Sequence, residues 1–177
     1  NDTSRNYGAA NPAFTASYTG FKYNQTFINS GLTGAPSLTT SATTASNVGT
    51  YTILTAPGTL ASRNYSFQYA DGNLTIGKAT LTVTADNKTR PYGGSNPAYT
   101  ATYTGFVNGQ NSSVLSGAPS MNSLADQYSA VGPYAITADS GTLIAQNYQF
   151  RMVDGILTVG KAVITVTADN KSRVYGE

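Results

Sequence analysis

The chain has 177 residues and a formal net charge of +2, from ten Lys and Arg against eight Asp and Glu. So weak a charge, without any basic run, excludes the electrostatic footprint of a nucleic-acid-binding protein. Cys and His are absent, which excludes disulfides and removes the usual ligands of a transition metal and the usual base of a nucleophilic enzyme.

Composition favours a soluble all-β protein. Thr, Ser, Asn and Gly are abundant, and thirteen Tyr supply the main large side chains. Thr and Tyr favour strands, whereas Asn and Gly favour turns. No apolar run comes near the roughly 18–20 residues of a membrane-spanning helix. We therefore predict no direct membrane insertion, no metal, no cofactor and no enzymatic activity.

In chain order, the first distinctive stretch is NPAFTASYTGF at 11–21, which returns as NPAYTATYTGF at 96–106. The motifs of 34–88 then return in the same order at 117–171. Such similarity at a fixed period indicates tandem modules in one chain. We predict a first module over 1–86 and a second over 87–177, which ends in the start of a further repeat.

Within each module the hydrophobic period is two, which is the period of strands. Leu81 and Val83 alternate with Thr, and the same alternation recurs in 99–104 and 148–152. Asp154-Gly155 separates two alternating runs, a pattern typical of a hairpin turn with positive φ. We predict six or seven strands per module.

Residues 107–117 are the only stretch suited to a short helical turn, with Val114 and Leu115 facing inward. The inward positions of the strands predict the core of the second module. It consists of Leu81, Val83, Tyr103, Phe106, Leu115, Val131, Tyr134, Ile136, Leu143, Tyr148, Phe150, Leu157 and Val159.

These elements predict two tandem β-sandwich modules, immunoglobulin-like, in an extended rod. The alternative is a pair of β-grasp-like modules with one short helix each, which would require the turn at 107–117 to be a helix packed across a sheet.

An ordered series of short motifs resembles the MBG repeat domain of YGX type. The series runs from a Tyr-Gly pair, through Gly-Phe at the end of a Tyr/Thr strand, to VGPYAI, NYQF and DGILTVGKA. The family occurs in tandem copies in large bacterial surface proteins, including filamentous-haemagglutinin-like fibrillar adhesins. The structural residues that carry the resemblance are Tyr92, Gly93, Gly105, Phe106, Tyr134, Asn147, Tyr148, Asp154 and Gly155.

The resemblance implies an extracellular, cell-surface location and a non-enzymatic role as stalk repeats that space a distal binding region from the cell. Its partners would be neighbouring repeats of the same chain, and host or cell-surface glycans through the parent protein. The alternative function is a low-affinity glycan- or mucin-binding repeat acting by avidity, because Tyr-rich strands offer apolar faces with polar handles.

Two other chemistries are weighed against turn and surface roles. Asp71 and Asp154 recur singly in Asp-Gly turns, and Asp86 and Asp169 recur singly in Asp-Asn turns. We expect each Asp there to bond local backbone rather than calcium, which needs clustered ligands. An isopeptide cross-link would join a Lys to an Asn beside an acid. The candidate residues are Lys78 and Lys161, Asn64 and Asn147, and the acids Asp71 and Asp154. A Lys side chain that lies on the surface without a cross-link is the ordinary case, however.

The end of the chain repeats the start of the second module, since AVITVTADNK at 162–171 resembles ATLTVTADNK at 79–88. We predict an ordered strand over 163–168. It would either be the last strand of the second module, with 80–85 closing the first, or be donated to an open edge in the first module of another molecule. The protein is otherwise expected to be a monomer.

Overall fold

The computed structural model describes residues 1–176 and is almost entirely β-structure. Its eleven strands are β1 (Thr3–Asn6), β2 (Ser37–Thr39), β3 (Gly49–Ala56), β4 (Gly72–Gly77), β5 (Ala79–Ala85), β6 (Lys88–Pro91), β7 (Ala101–Thr104), β8 (Ser120–Asn122), β9 (Gly132–Asp139), β10 (Tyr148–Val153) and β11 (Gly155–Gly160). The only helical element in the described chain is a three-residue 3-10 turn, Ser112–Val114, which buries no residue. The all-β prediction is therefore confirmed, and no helix packs across a sheet as a β-grasp module would require.

The two sequence copies build the same four-stranded sheet. The strand order is β1-β4-β3-β2 in the first copy and β6-β11-β9-β8 in the second. In each sheet the first strand runs parallel to its neighbour, with Thr3 opposite Leu74 and Lys88 opposite Leu157. The other neighbours pair antiparallel. Alternate residues of β4 and β11 are buried, because one face of each strand is apolar.

A third sheet has the order β10-β5-β7, and all three strands come from the second copy. Its outer strands correspond in sequence to 65–70 and 16–19, which form no strand in the first copy. The predicted count of six or seven strands thus holds for the second copy, which has seven, while the first has four. The two copies differ in strand number because β5 lies between β10 and β7 in the second copy. Without such a central strand, residues 16–19 and 65–70 of the first copy have no neighbour with which to form ladder hydrogen bonds.

The connection at Asp154-Gly155 is not the hairpin that the sequence predicts. β10 and β11 lie in different sheets, so the pair carries the chain from one sheet to another. Gly155 is not among the residues with positive φ. A Cβ on Gly155 would lie 2.4 Å from the carbonyl oxygen of Ala85, so glycine is needed there for close backbone approach.

The chain folds into two compact units. Unit 1 comprises 1–83, 103–119 and 140–152, and unit 2 comprises 84–102, 120–139 and 153–177. Unit 1 holds the first copy's sheet and most of the third sheet, and unit 2 holds the sheet β6-β11-β9-β8. The units follow packing rather than the repeat, so the boundary after residue 86 stays a prediction, as does the rod.

Unit 1 has one hydrophobic core to which both of its sheets contribute, as in a β-sandwich. It includes Ile53 and Leu74 of the first copy's sheet and Leu81 and Tyr148 of the third sheet, all at most 1% exposed. In unit 2 the buried apolar side chains include Ile136, Leu157 and Val159. These observations place the chain in the predicted fold class of tandem β-sandwich modules.

Two residues predicted to face inward do not. Val131 is 52% exposed and Val114 is 38% exposed. Val131 precedes the first residue of β9, outside the alternating part of the strand, and Val114 ends the short 3-10 turn. The remaining predicted core residues are buried or half-buried.

The end of the chain corrects a further prediction. Residues 161–174 form no strand, and every residue of 161–176 is exposed. Val163–Ala168 is therefore not the last strand of the second module. The prediction that 80–85 is the last strand of the first module is also wrong. Both neighbours of β5 in its sheet, β7 and β10, belong to the second copy.

Candidate functional site: a joint between sequence copies

Within unit 1, the Tyr-Gly pair of the first copy packs against a loop of the second. Tyr7 is 4% exposed, and its hydroxyl accepts a hydrogen bond from Nε2 of Gln110 at 3.0 Å. Gly8 has a φ of +81°, and a Cβ there would lie 2.4 Å from Cγ2 of Val107. Only glycine satisfies both the backbone conformation and this close contact.

The contact of Tyr7 and Gly8 of the first copy with residues 106–110 and Tyr148 of the second copy is called the joint below. Tyr148 of β10 lies at its centre. Its ring is edge-on to that of Tyr7 at 5.7 Å and to that of Phe106 at 5.7 Å, a favourable arrangement for aromatic rings. The Tyr148 hydroxyl accepts from the backbone N–H of Val107 at 3.1 Å and donates to Oε1 of Gln110 at 2.6 Å. Gln110 therefore links the hydroxyls of two tyrosines that belong to different copies.

Asn147, the residue before Tyr148, makes a second polar link between the copies. Its side chain donates to Oδ1 of Asn47 at 2.8 Å and accepts from the N–H of Val48 at 3.0 Å. Asn147 is 9% exposed, so these bonds replace the water that the buried amide loses. Its carbonyl also accepts from the N–H of Ala79 at the start of β5.

The same Tyr-Gly pair in the second copy is uncovered. Tyr92 is 48% exposed, and a Cβ on Gly93 would have nothing within 4 Å. Val131 is half exposed, whereas its counterpart Val48 packs against the core of unit 1. Each copy thus carries the same Tyr-Gly surface. A loop of the second copy buries this surface in the first copy, and in the second copy the surface is exposed.

A buried arginine in each copy is a structural feature that the sequence analysis missed. Arg5 and Arg90 are 8% and 6% exposed. Nε of each donates to an Asn six residues later, Asn11 or Asn96, at 2.7 Å. Each guanidinium also donates to a backbone carbonyl of a distant loop, that of Thr43 or Asp126. In both copies the Arg lies two residues before the Tyr-Gly pair, and this recurrence in the sequence could have indicated a structural role for it.

The Asp86 carboxylate is held by two threonine hydroxyls. It accepts hydrogen bonds from the hydroxyls of Thr100 and Thr102, at 2.5 and 2.7 Å. These bonds hold the pKa of Asp86 below its ordinary value; burial opposes them, and the charge of Lys88 makes the smallest contribution, in the lowering direction. Hydrogen bonds to the charged form favour ionisation, so Asp86 fastens the start of the second copy to its Tyr/Thr strand.

The other sequence-predicted residues fall into local structural roles. Asp154 accepts from the N–H of Ala138 at 2.9 Å, as Asp71 does from Thr55 at 2.8 Å. Tyr134 donates to the carbonyl of Ala130 at 2.9 Å. Gly105 has a φ of +103°, and its Cβ position lies 2.8 Å from the carbonyl of Thr80.

Two of the candidate cross-link residues, Lys78 and Asn147, are bonded to other groups. Lys78 donates to the carbonyl of Ala145 at 3.3 Å, whereas the Asn147 amide is bonded to Asn47 and Val48. Over residues 1–176, no group of three or more His, Cys, Asp or Glu side chains is placed to hold a metal ion. In the same residues, no helix is both long and apolar enough to cross a membrane.

Two tandem copies of one β-sheet module, joined by buried aromatic and amide contacts, define a β-repeat protein. The family model of the MBG domain (YGX type) matches residues 1–75 and 81–158, and the chain belongs to this family of structural repeat domains. Comparison with curated proteins and with solved structures gave no match.

Proposed function

We propose that the chain is a pair of structural stalk repeats of a bacterial cell-surface adhesin, which space a distal binding region from the cell. The observation that supports this role is the joint at Tyr7, Gly8 and Tyr148. It links consecutive copies through packed rings and buried hydrogen bonds instead of a free linker. A spacer needs such joints, because a flexible linker would let the distal region fall back toward its base.

The proposed role is mechanical and non-enzymatic. The joint consists of aromatic rings, amides, backbone groups and two tyrosine hydroxyls, both of which are bonded to Gln110. Thr-rich strand faces suit a surface exposed to water beside a cell. The parent protein would be exposed outside the cell, with its ligand bound elsewhere in the molecule.

Two measurements test the proposal. Antibodies against this chain should label intact cells of the source bacterium, and protease added outside should remove the label. Small-angle X-ray scattering of the chain should give the elongated profile of a rod. Absence of surface label, or a scattering profile of a compact sphere, would contradict the stalk.

The alternative is a low-affinity glycan- or mucin-binding repeat. It is favoured by a groove of about 860 Å³ in unit 1, whose lining includes Tyr18, Phe67 and Tyr69, because aromatic side chains pack well against sugar rings. A glycan array probed with the chain separates the two roles. Reproducible binding that is lost in Tyr69→Ala would favour the alternative.

A further inference from the structure

In each copy, the first strand of the four-stranded sheet lies beside the last strand of that sheet and runs parallel to it. In the second copy β6 pairs with β11, starting with Lys88 opposite Leu157. In the first copy β1 pairs with β4 in the same way. The chain therefore enters each sheet at one end of a parallel pair and leaves it at the other end.

This arrangement determines how tension along the chain acts on a sheet. Tension pulls β6 toward its N-terminal end and β11 toward its C-terminal end. Because the two strands are parallel, these pulls run in opposite directions along the strands and shear the ladder between them. The bonds of a parallel ladder are evenly spaced, so a shearing force loads them together, whereas a force that separates two adjacent strand ends breaks them one at a time. Under tension, β6 can leave its sheet only when several bonds break at once.

Two further hydrogen bonds extend the ladder beyond both ends of β6. Before the strand, the Asn87 side chain accepts from the N–H of Ile156 at 2.7 Å. After the strand, the N–H of Tyr92 donates to the carbonyl of Gly160 at 2.8 Å. The bonded contact between the two strands therefore spans 87–92, beyond the four residues of β6 itself.

The buried Arg90 ties β6 to a part of unit 2 outside the strand pair. Its side chain donates to Oδ1 of Asn96 at 2.7 Å and to the carbonyl of Asp126. Arg90 is 6% exposed, so little water is at hand to replace these partners. A shearing movement of β6 would draw Arg90 away from Asp126. The arginine thus adds bonds that must break together with the ladder.

The first copy repeats every part of this arrangement. The Asp2 carboxylate accepts from the N–H of Asn73 at 2.8 Å, and the N–H of Tyr7 donates to the carbonyl of Gly77 at 2.8 Å. The buried arginine of β1 is bonded as its counterpart in β6 is. An acceptor side chain precedes the strand in both copies, as Asp in one and as Asn in the other. The arrangement therefore belongs to the module and is not peculiar to one strand.

We propose that this parallel pair is a mechanical clamp, which makes each copy resist unfolding when the chain is pulled along its length. The clamp consists of the ladder, the acceptor side chain before it, the tyrosine N–H after it and the buried arginine. Resistance to force depends on the barrier to unfolding rather than on the equilibrium free energy, and the clamp raises that barrier for one direction of pull. It depends on strand register alone, so it would hold even if the chain were not part of a surface stalk.

Single-molecule pulling tests the clamp of the second copy in the whole chain. The chain has no Cys, so two introduced thiols are unique attachment points. Asp86→Cys with Lys161→Cys applies the force just before β6 and just after β11, which shears the pair. Asp86→Cys with Ile156→Cys applies it at adjacent strand ends, which peels the pair open. At one loading rate, the shearing geometry should withstand at least about twice the force of the peeling geometry. Equal forces, or a lower force in the shearing geometry, overturn the proposal.

Two asparagine variants then test the bond that precedes the ladder. Asn87→Ala removes the acceptor of the Ile156 N–H and should lower the shearing force. Asn122→Ala is the matched control, because Asn122 lies in β8 at the opposite edge of the same sheet, and it should leave the shearing force unchanged. An Asn87→Ala chain that withstands the full shearing force, or equal losses from the two variants, would contradict the clamp.

Discussion

A Cβ atom on Gly8 would lie 2.4 Å from Cγ2 of Val107, whereas a Cβ on Gly93, its counterpart in the second copy, would meet nothing within 4 Å. The two glycines have nearly the same backbone, with φ of +81° and +79°. They differ in what covers them. The pair therefore separates the contribution of the joint from the cost of the backbone conformation.

Substitution of Gly8 by Ala should destabilise the protein more than substitution of Gly93 by Ala. Both variants pay about 1–3 kcal/mol for a positive φ. Gly8→Ala must also displace Val107, and overpacking of this kind costs about 1–3 kcal/mol more. Urea unfolding of the two variants measures the difference. Equal losses would mean that the loop of 107–110 does not pack on Gly8 in solution.

Substitution of Asn147 by Ala should lower the free energy of unfolding by about 1–3 kcal/mol, because it leaves the N–H of Val48 and the amide of Asn47 without partners. Asn64 is the matched control, since it occupies the same position in the first copy but is exposed. Asn64→Ala should change stability by no more than about 0.5 kcal/mol. A larger effect at Asn64 than at Asn147 would contradict the second polar link.

Substitution of Tyr99 by Phe should leave stability unchanged or raise it. The Tyr99 hydroxyl is buried and has no hydrogen-bond partner among the described residues, and an unpaired buried hydroxyl costs about 1–3 kcal/mol. The first copy already has Phe14 at this position. Tyr148→Phe, which deletes a bonded hydroxyl, should destabilise in the same denaturation assay. Destabilisation by Tyr99→Phe would show that its hydroxyl has a partner.

Asp86 should contribute stability that depends on pH. Its folded pKa is lowered by the hydroxyls of Thr100 and Thr102, while the unfolded value is about 3.9. The contribution is therefore present above about pH 4 and is lost as the pH falls through the lowered folded pKa. Carboxyl NMR titration should give Asp86 a pKa below that of ordinary aspartates. The Thr100→Val change should raise the pKa of Asp86. An unchanged pKa would contradict the hydrogen bond between Thr100 and Asp86.

Much of the fold follows from the sequence, because period two and the tandem motifs are local properties. They predict the all-β class, the two copies, and the buried face of β5 and β11. The Asp154-Gly155 connection could not be read in the same way, since Asp-Gly is also used where a strand crosses between sheets and a carbonyl comes close. Val131 was misjudged because it lies just outside its strand.

The joint itself is beyond the reach of local patterns. Tyr7-Gly8 and Tyr92-Gly93 are identical dipeptides at equivalent positions of the two copies. Tyr7 is nevertheless buried, whereas Tyr92 is half exposed. Their difference is made by a loop about a hundred residues away in the chain, as the Gln110–Tyr7 bond shows. The buried arginines were missed for a related reason, because Arg is ordinarily a surface residue and only its carbonyl partners in distant loops explain its burial.

The central claim is that the Tyr-Gly pair of one copy packs on the loop and Tyr148 of the next. Nuclear Overhauser contacts test it most directly, in a chain labelled at valine methyls and tyrosine rings. The account predicts contacts from the Val107 methyls to the Hα atoms of Gly8 and from the Tyr7 ring to the Tyr148 ring, with no contacts to Gly93 in the monomer. Equal absence of contacts at Gly8 and Gly93 would contradict it.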